Sequence, residues 1–127
     1  MLCPKCKKEM IVVERSDIAL DYCIDCNGFW FDDEEWNLLC KKLYSTNQDQ
    51  IGDVYSIPKV MVKEEIRNCP RCNAKMEKFM AYGVVLDRCP NRHGIWFDKN
   101  EISRFINTSR GSDNKNPVNF LGEVFFK

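Results

Sequence analysis

Six of the eight cysteines in this 127-residue chain stand in three C-x-x-C pairs, Cys3/Cys6, Cys23/Cys26 and Cys69/Cys72. Eight cysteines in a secreted mini-protein suggest disulfides, whereas paired C-x-x-C spacing in a cytosolic chain suggests metal. The N-terminal run MLCPKCKKEM has no apolar signal core, so the expectation is a soluble, cytoplasmic protein with metal bound to thiolates. No apolar run approaches the roughly 18 residues that a membrane-spanning helix needs.

Adding 66 to a residue number in the first third returns the same chemistry. CPKC at 3–6 becomes CPRC at 69–72, and Met10 becomes Met76. LDYC at 20–23 becomes LDRC at 86–89, and GFWFDDEE at 28–35 becomes GIWFDKNE at 94–101. Residues 3–40 lie on 69–106 without a gap, which marks one small unit duplicated.

One feature slips. The counterpart of Cys26 is Arg92, and the only histidine, His93, stands one place later, opposite Asn27. Cys69, Cys72 and Cys89 need a fourth donor for tetrahedral closure, and an imidazole can reach a metal from the shifted position. The sequence therefore predicts a four-cysteine site at Cys3, Cys6, Cys23 and Cys26. It predicts a second site of three cysteines and one histidine at Cys69, Cys72, Cys89 and His93, with two Zn2+ per chain.

Each repeat is about 40 residues, a size at which metal is usually needed for folding. C-P-x-C should form a tight turn whose amides face the sulfurs, with Lys7 and Asn73 in a turn conformation. MIVVE and ALDY should form a hairpin around Arg15–Ile18, and MEKFMA and VVLDR another around Tyr82-Gly83. WFD should then open a helix, with Asp32 and Asp98 as N-caps and Glu35 and Glu101 at capping-box spacing. Trp36, Leu39, Cys40 and Leu43 fall on one helix face, as do Ile102, Phe105 and Ile106. Trp30 and Trp96 are expected in the core, and Cys40 as a buried free thiol. The fold class is small metal-stabilised α+β: two tandem zinc ribbons, each made of β-hairpin knuckles followed by a short helix. The expected divisions are a first ribbon at 1–43, a linker at 44–66 with an edge strand near Val60 and Val62, a second ribbon at 67–108 and a tail at 109–127.

Net charge is zero, but the halves differ. Residues 1–40 carry four basic and nine acidic residues, net minus five, and residues 69–110 carry eight basic and four acidic, net plus four. Such halves could attract each other, or the basic ribbon could meet an acidic partner or a phosphate backbone. Arg71, Lys75, Lys78, Arg88 and Arg92 are the candidate contacts for an unidentified protein or nucleic acid.

The run C-P-x-C, sixteen residues, C-x-x-C-x-G-x-W-x-D-x-x-E resembles the transcription-factor-IIB-type zinc-ribbon domain of prokaryotic proteins. The C-x-x-x-H-G-x-W run at 89–96 is similar to a variant of it. The resemblance covers residues 3–40 and 69–106, implies the eight ligands named above, and departs at Asn27, where many members carry a second glycine. It implies a binding module with structural metal, whose name points toward transcription. A redox- or zinc-responsive sensor is the alternative. A rubredoxin-like iron electron carrier fits less well, because the second site offers a histidine in place of a fourth thiolate. No catalytic constellation stands in the sequence, so no enzyme activity is expected.

Overall fold

The computed structural model describes residues 1–15, 17–43 and 53–109. Strands β1 (Ile11–Arg15) and β2 (Ile18–Tyr22) form the first hairpin, followed by β3 (Phe29–Asp32) and helix α1 (Asp33–Leu43). A 3-10 turn at Val54–Ser56 precedes β4 (Glu77–Ala81), β5 (Val84–Arg88), β6 (Gly94–Phe97) and helix α2 (Glu101–Ser109). Both hairpins lie where the sequence places them. Tyr82 at φ 50 and Gly83 at φ 77 are both left-handed, as a tight two-residue hairpin turn requires.

The third strand of each repeat is the part the sequence reading assigns to a helix entry. FWFD and GIWF are too short and too uniformly apolar for an alternating pattern, because both of their faces are covered. Aromatic and β-branched side chains favour the pleat. Here they place β3 and β6 at the centre of one six-stranded antiparallel sheet, in the order β1-β2-β3-β6-β5-β4.

The central register is Phe29↔Phe97, Trp30↔Trp96, Phe31↔Ile95 and Asp32↔Gly94. Trp96 is Trp30 plus 66, so the middle pair joins a residue to its own repeat mate. An approximate two-fold axis normal to the sheet therefore passes between the two tryptophans. The repeats are halves of one continuous sheet and meet as the subunits of an isologous dimer would.

The sheet separates two cores. On one face, α1 and α2 cover Leu20, Phe29, Phe31, Phe79, Leu86, Ile95 and Phe97 with Trp36, Leu39, Ile102 and Phe105. The Trp36 ring lies 6.1 Å from Phe97 and 5.5 Å from Phe105, so α1 packs on residues of the other repeat. The opposite face holds Met10, Met76, Trp30, Trp96 and the cysteines of both candidate metal sites. Cys40 lies against the helix-side core, and burial pushes its thiol up to about 12, which makes it inert.

The helix starts fit the sequence in part. Glu35 accepts the Asp32 N–H at 2.9 Å, and Glu101 accepts the Asp98 N–H at 2.8 Å, which is half of a capping box. The aspartate side chains are engaged elsewhere: Asp32 accepts the Trp30 indole N–H at 2.8 Å and Asp98 that of Trp96 at 2.9 Å. Asp98 is not directly followed by helix, because Asn100 adopts a left-handed φ of 72 and α2 begins only at Glu101.

The linker is not simply surface chain where it is described. Val54 is 1% exposed. Tyr55 Oη donates to Asp33 at 3.0 Å, and its ring lies under the Arg92 guanidinium. The expected edge strand is reduced to a single bridge, Lys59↔Phe79, with Val60 N–H donating to Lys78 C=O at 2.8 Å. Pro58 has no N–H to extend the ladder. Residues 44–52 and the tail from 110 onward lie outside the described residues.

Candidate metal centres

Each centre is built from two turns. In three of the four, the residue after the second cysteine is left-handed: Lys7 (φ 64), Asn27 (φ 63) and Asn73 (φ 63). Its N–H returns to the carbonyl four residues back, as Lys7 to Cys3 at 2.9 Å, Asn27 to Cys23 at 2.8 Å and Asn73 to Cys69 at 2.8 Å. Asparagine tolerates this conformation well, and lysine accepts it at some cost.

The fourth turn explains the slip between Cys26 and His93. Arg92 is left-handed at φ 65, one place early, and its N–H bonds Cys89 C=O only three residues back at 3.1 Å. The turn closes one residue sooner, so the donor follows it as His93. Asn27 alters nothing here, since it adopts the left-handed conformation that its turn requires.

The sulfurs of Cys3, Cys6, Cys23 and Cys26 all lie within 4.8 Å of one another, as do those of Cys69, Cys72 and Cys89 with a His93 ring nitrogen. Tetrahedral zinc, with bonds of about 2.3 Å to sulfur and about 2.0 Å to nitrogen, holds its donors roughly 3.6–3.8 Å apart. Cys3 and Cys26 are 3.6 Å apart, and Cys72 and Cys89 3.5 Å. His93 Nδ1 lies 3.5 Å from Cys89 Sγ and 4.0 Å from Cys69 Sγ. All eight cysteines are free thiols. The donor sets and their spacing fit one tetrahedral ion in each centre.

Backbone amides face the sulfurs as expected. Cys3 Sγ accepts Lys5 N–H at 3.3 Å and Cys6 N–H at 3.2 Å, and Cys69 Sγ accepts Arg71 N–H at 3.3 Å. Such donors stabilise thiolates, while burial opposes charge. Burial prevails at Cys69, pushed up to about 12, and it also raises Cys3 and Cys26. Cys72 is lowered to about 6, chiefly by the Asn91 side-chain amide, 3.4 Å from its sulfur. Raised thiols must lose protons to a metal, so ion binding here releases protons.

The centres are joined through the tryptophans. A Cβ on Gly28 would lie 2.2 Å from the Trp96 ring, and one on Gly94 would lie 2.2 Å from Phe31 O and 2.6 Å from the Trp30 ring. Each repeat thus needs a bare backbone where the other repeat's tryptophan lies. Arg71, beside a ligand of the second centre, reaches across to Asp32 at 2.8 Å.

The basic residues expected to meet a partner are mostly engaged within the chain. Lys78 is 8% exposed and holds Asp87 at 2.6 Å. Arg88 is 4% exposed and bonds Val54 O at 2.7 Å. Neither can present its charge to a partner, a correction to the sequence reading that follows from their inward place on the sheet. Arg92 pairs with Asp53 at 3.0 Å, and Arg71 with Asp32. Lys75 is exposed, with no ion pair among the described residues. A third group, Asp21, Asp32 and Glu35, brings carboxylate oxygens within 4.8 Å of one another. Sequence spacing shows Asp32 and Glu35 as a cap but hides Asp21, which joins them across the β2–β3 pair.

Residues 2–42 and again 68–108 match the transcription-factor zinc-finger family of TFIIB-type zinc ribbons. The two matches account for well over half of the chain, and the chain belongs to this family. No curated protein and no solved structure matches it. Among the described residues, no helix is long and apolar enough to cross a membrane.

Proposed function

We propose that this TFIIB-type tandem zinc-ribbon chain binds two Zn2+ and serves as a rigid interaction module, with metal in a structural role. The ligands are Cys3, Cys6, Cys23 and Cys26 in one centre and Cys69, Cys72, Cys89 and His93 in the other. The observation that carries the reading is the spacing of these two complete sets of four sulfur or imidazole donors, on the face of the sheet opposite the helices. Four protein ligands leave no coordination position for water or substrate, so the module is not a metalloenzyme. Histidine in the second set favours zinc over a rubredoxin-type iron. The family description, a transcription-factor zinc finger, supports a partner in the transcription machinery. The inward use of the basic side chains favours a protein partner over nucleic acid.

Metal analysis of the purified full chain tests this. Two zinc ions per chain are expected. His93→Ala should lower the count to one, and Arg92→Ala, which alters the position opposite Cys26, should leave it at two. Iron in either centre, or full zinc retention in His93→Ala, would refute the assignment.

A further inference from the structure

The two-fold relation allows each half to be compared with the other, and the comparison exposes one unmatched surface. A single row of paired residues crosses the whole sheet: Val12, Asp21, Trp30, Trp96, Asp87 and Lys78. It reads the same from both ends except at its outermost members. In the second half, Lys78 Nζ neutralises Asp87 at 2.6 Å, and Arg67 neutralises Asp98, the counterpart of Asp32, at 2.6 Å. The β4 edge beyond Lys78 is covered by the chain's own Lys59–Val60.

The first half has the same carboxylates without those side-chain cations. Val12 stands where Lys78 would be, and Met1, whose α-ammonium pairs with Glu9 at 3.2 Å, stands where Arg67 would be. No described residue donates a hydrogen bond or ion pair to the Asp21 carboxylate, and Arg71 is the one cation paired with Asp32. The β1 edge has no neighbouring strand among the described residues. Val12 is 68% exposed, Leu2 50% and Ile11 47%.

We propose that the β1 edge with Asp21 is a docking surface for an extended, basic segment of a partner protein. It would add to β1 as Lys59–Val60 adds to β4, and it would carry to Asp21 the cation that Lys78 supplies to Asp87. Edge addition supplies main-chain hydrogen bonds at Val12 C=O, the counterpart of Lys78 C=O, and alternate side chains supply the choice of partner. The field of this half excludes other occupants. Residues 1–40 carry nine acidic against four basic residues, so a second copy's β1 edge and a phosphate backbone are both repelled. The inference deepens the interaction-module reading, on which it rests.

The test uses the zinc-loaded full chain and a capped peptide of residues 57–63 carrying Val60→Lys, which copies the segment that covers β4 and sets a cation opposite Val12, on the Asp21 side of the sheet. Backbone amide resonances should shift at Ile11–Arg15 and Asp21 as peptide is added. Val12→Lys, which copies the second half, should weaken binding about tenfold or more, and Asp21→Asn should do the same. Shifts centred on the second half would leave an interaction module standing and remove this surface. Unchanged affinity in both variants would also overturn it, as would no shift anywhere in the zinc-loaded chain, while the zinc count tests the module separately. Loss of amide dispersion on chelation reports on the metal separately.

Discussion

Gly94→Ala is the sharpest probe of the joined halves. The new methyl would start 2.2 Å from Phe31 O and 2.6 Å from the Trp30 ring. The first of these atoms is backbone of a central strand, and Trp30 is 0% exposed, so neither can withdraw without moving its neighbours. Overpacking of this kind costs about 1–3 kcal/mol, and with backbone on one side of the clash we expect about 3 kcal/mol or more. Gly83→Ala is the internal control. Gly83 sits at φ +77 with nothing within 4 Å of its Cβ position, so alanine there incurs only left-handed strain, about 1–2 kcal/mol. At a fixed excess of zinc, thermal unfolding should fall by about 5–10 °C for Gly83→Ala and by about 15 °C or more for Gly94→Ala. The clash falls on residues of the first half, so Gly94→Ala should also speed chelator extraction of zinc from the centre whose ligands it does not touch. Melting no lower than that of Gly83→Ala, or extraction altered only in the second centre, would refute the claim that the halves share one core.

Two further substitutions test the buried charges. Burial, followed by the charges of Asp98, Asp87 and Glu64, pushes Glu101 up to about 7, against an ordinary value of 4.5. A carboxyl raised on folding favours the folded state at low pH, and that contribution is lost as pH rises from about 4.5 through about 7. Glu101→Gln keeps an oxygen for the Asp98 N–H but has no proton to lose. It should therefore unfold at higher urea than the unaltered chain at pH 8, by up to about 3 kcal/mol, with the gain shrinking toward pH 6; a gain independent of pH would be contrary to this account. Lys78→Val copies the first half and strands Asp87, whose side chain is 4% exposed. Urea unfolding at pH 7 should show a loss of roughly 3 kcal/mol, and Asp87→Asn in the same chain should return part of it; a loss under about 1 kcal/mol would mean that the pair contributes no more than a surface one.

The sequence is most legible where geometry is local. The C-x-x-C turns, both hairpins and the Glu35 and Glu101 contacts depend on residues close in the chain, and all appear at the expected positions. What escapes sequence reading is long-range. FWFD and GIWF do not alternate, because each is covered on both sides. The partner that makes them strands is some 66 residues away, so nothing nearby identifies it. Counting charge fails for a related reason. The excess of positive charge in the second half is real, but Lys78 and Arg88 serve carboxylates inside that half and the Val54 carbonyl of the linker.

The positions at which the halves agree and differ follow from the same axis. A residue on a two-fold axis meets its own counterpart, so a change in one copy alters the surroundings of the other. Trp30 and Trp96 pair with each other, and Gly28 and Gly94 each lie beneath the opposite tryptophan. These pairs are identical in both halves. At the outer strands, β1 and β4, each copy faces its own neighbours. Off the axis the halves diverge, with Val12 against Lys78, Met1 against Arg67 and Cys26 against Arg92. Fusing two ribbons in one chain fixes the shared seam and frees the outer edges. In the second half the freed edge is closed by the linker and by Lys78. In the first half the matching edge carries the same carboxylate, Asp21, with no cationic side chain bonded to it among the described residues, and that difference sets apart, in a nearly symmetric fold, the one face proposed above for docking.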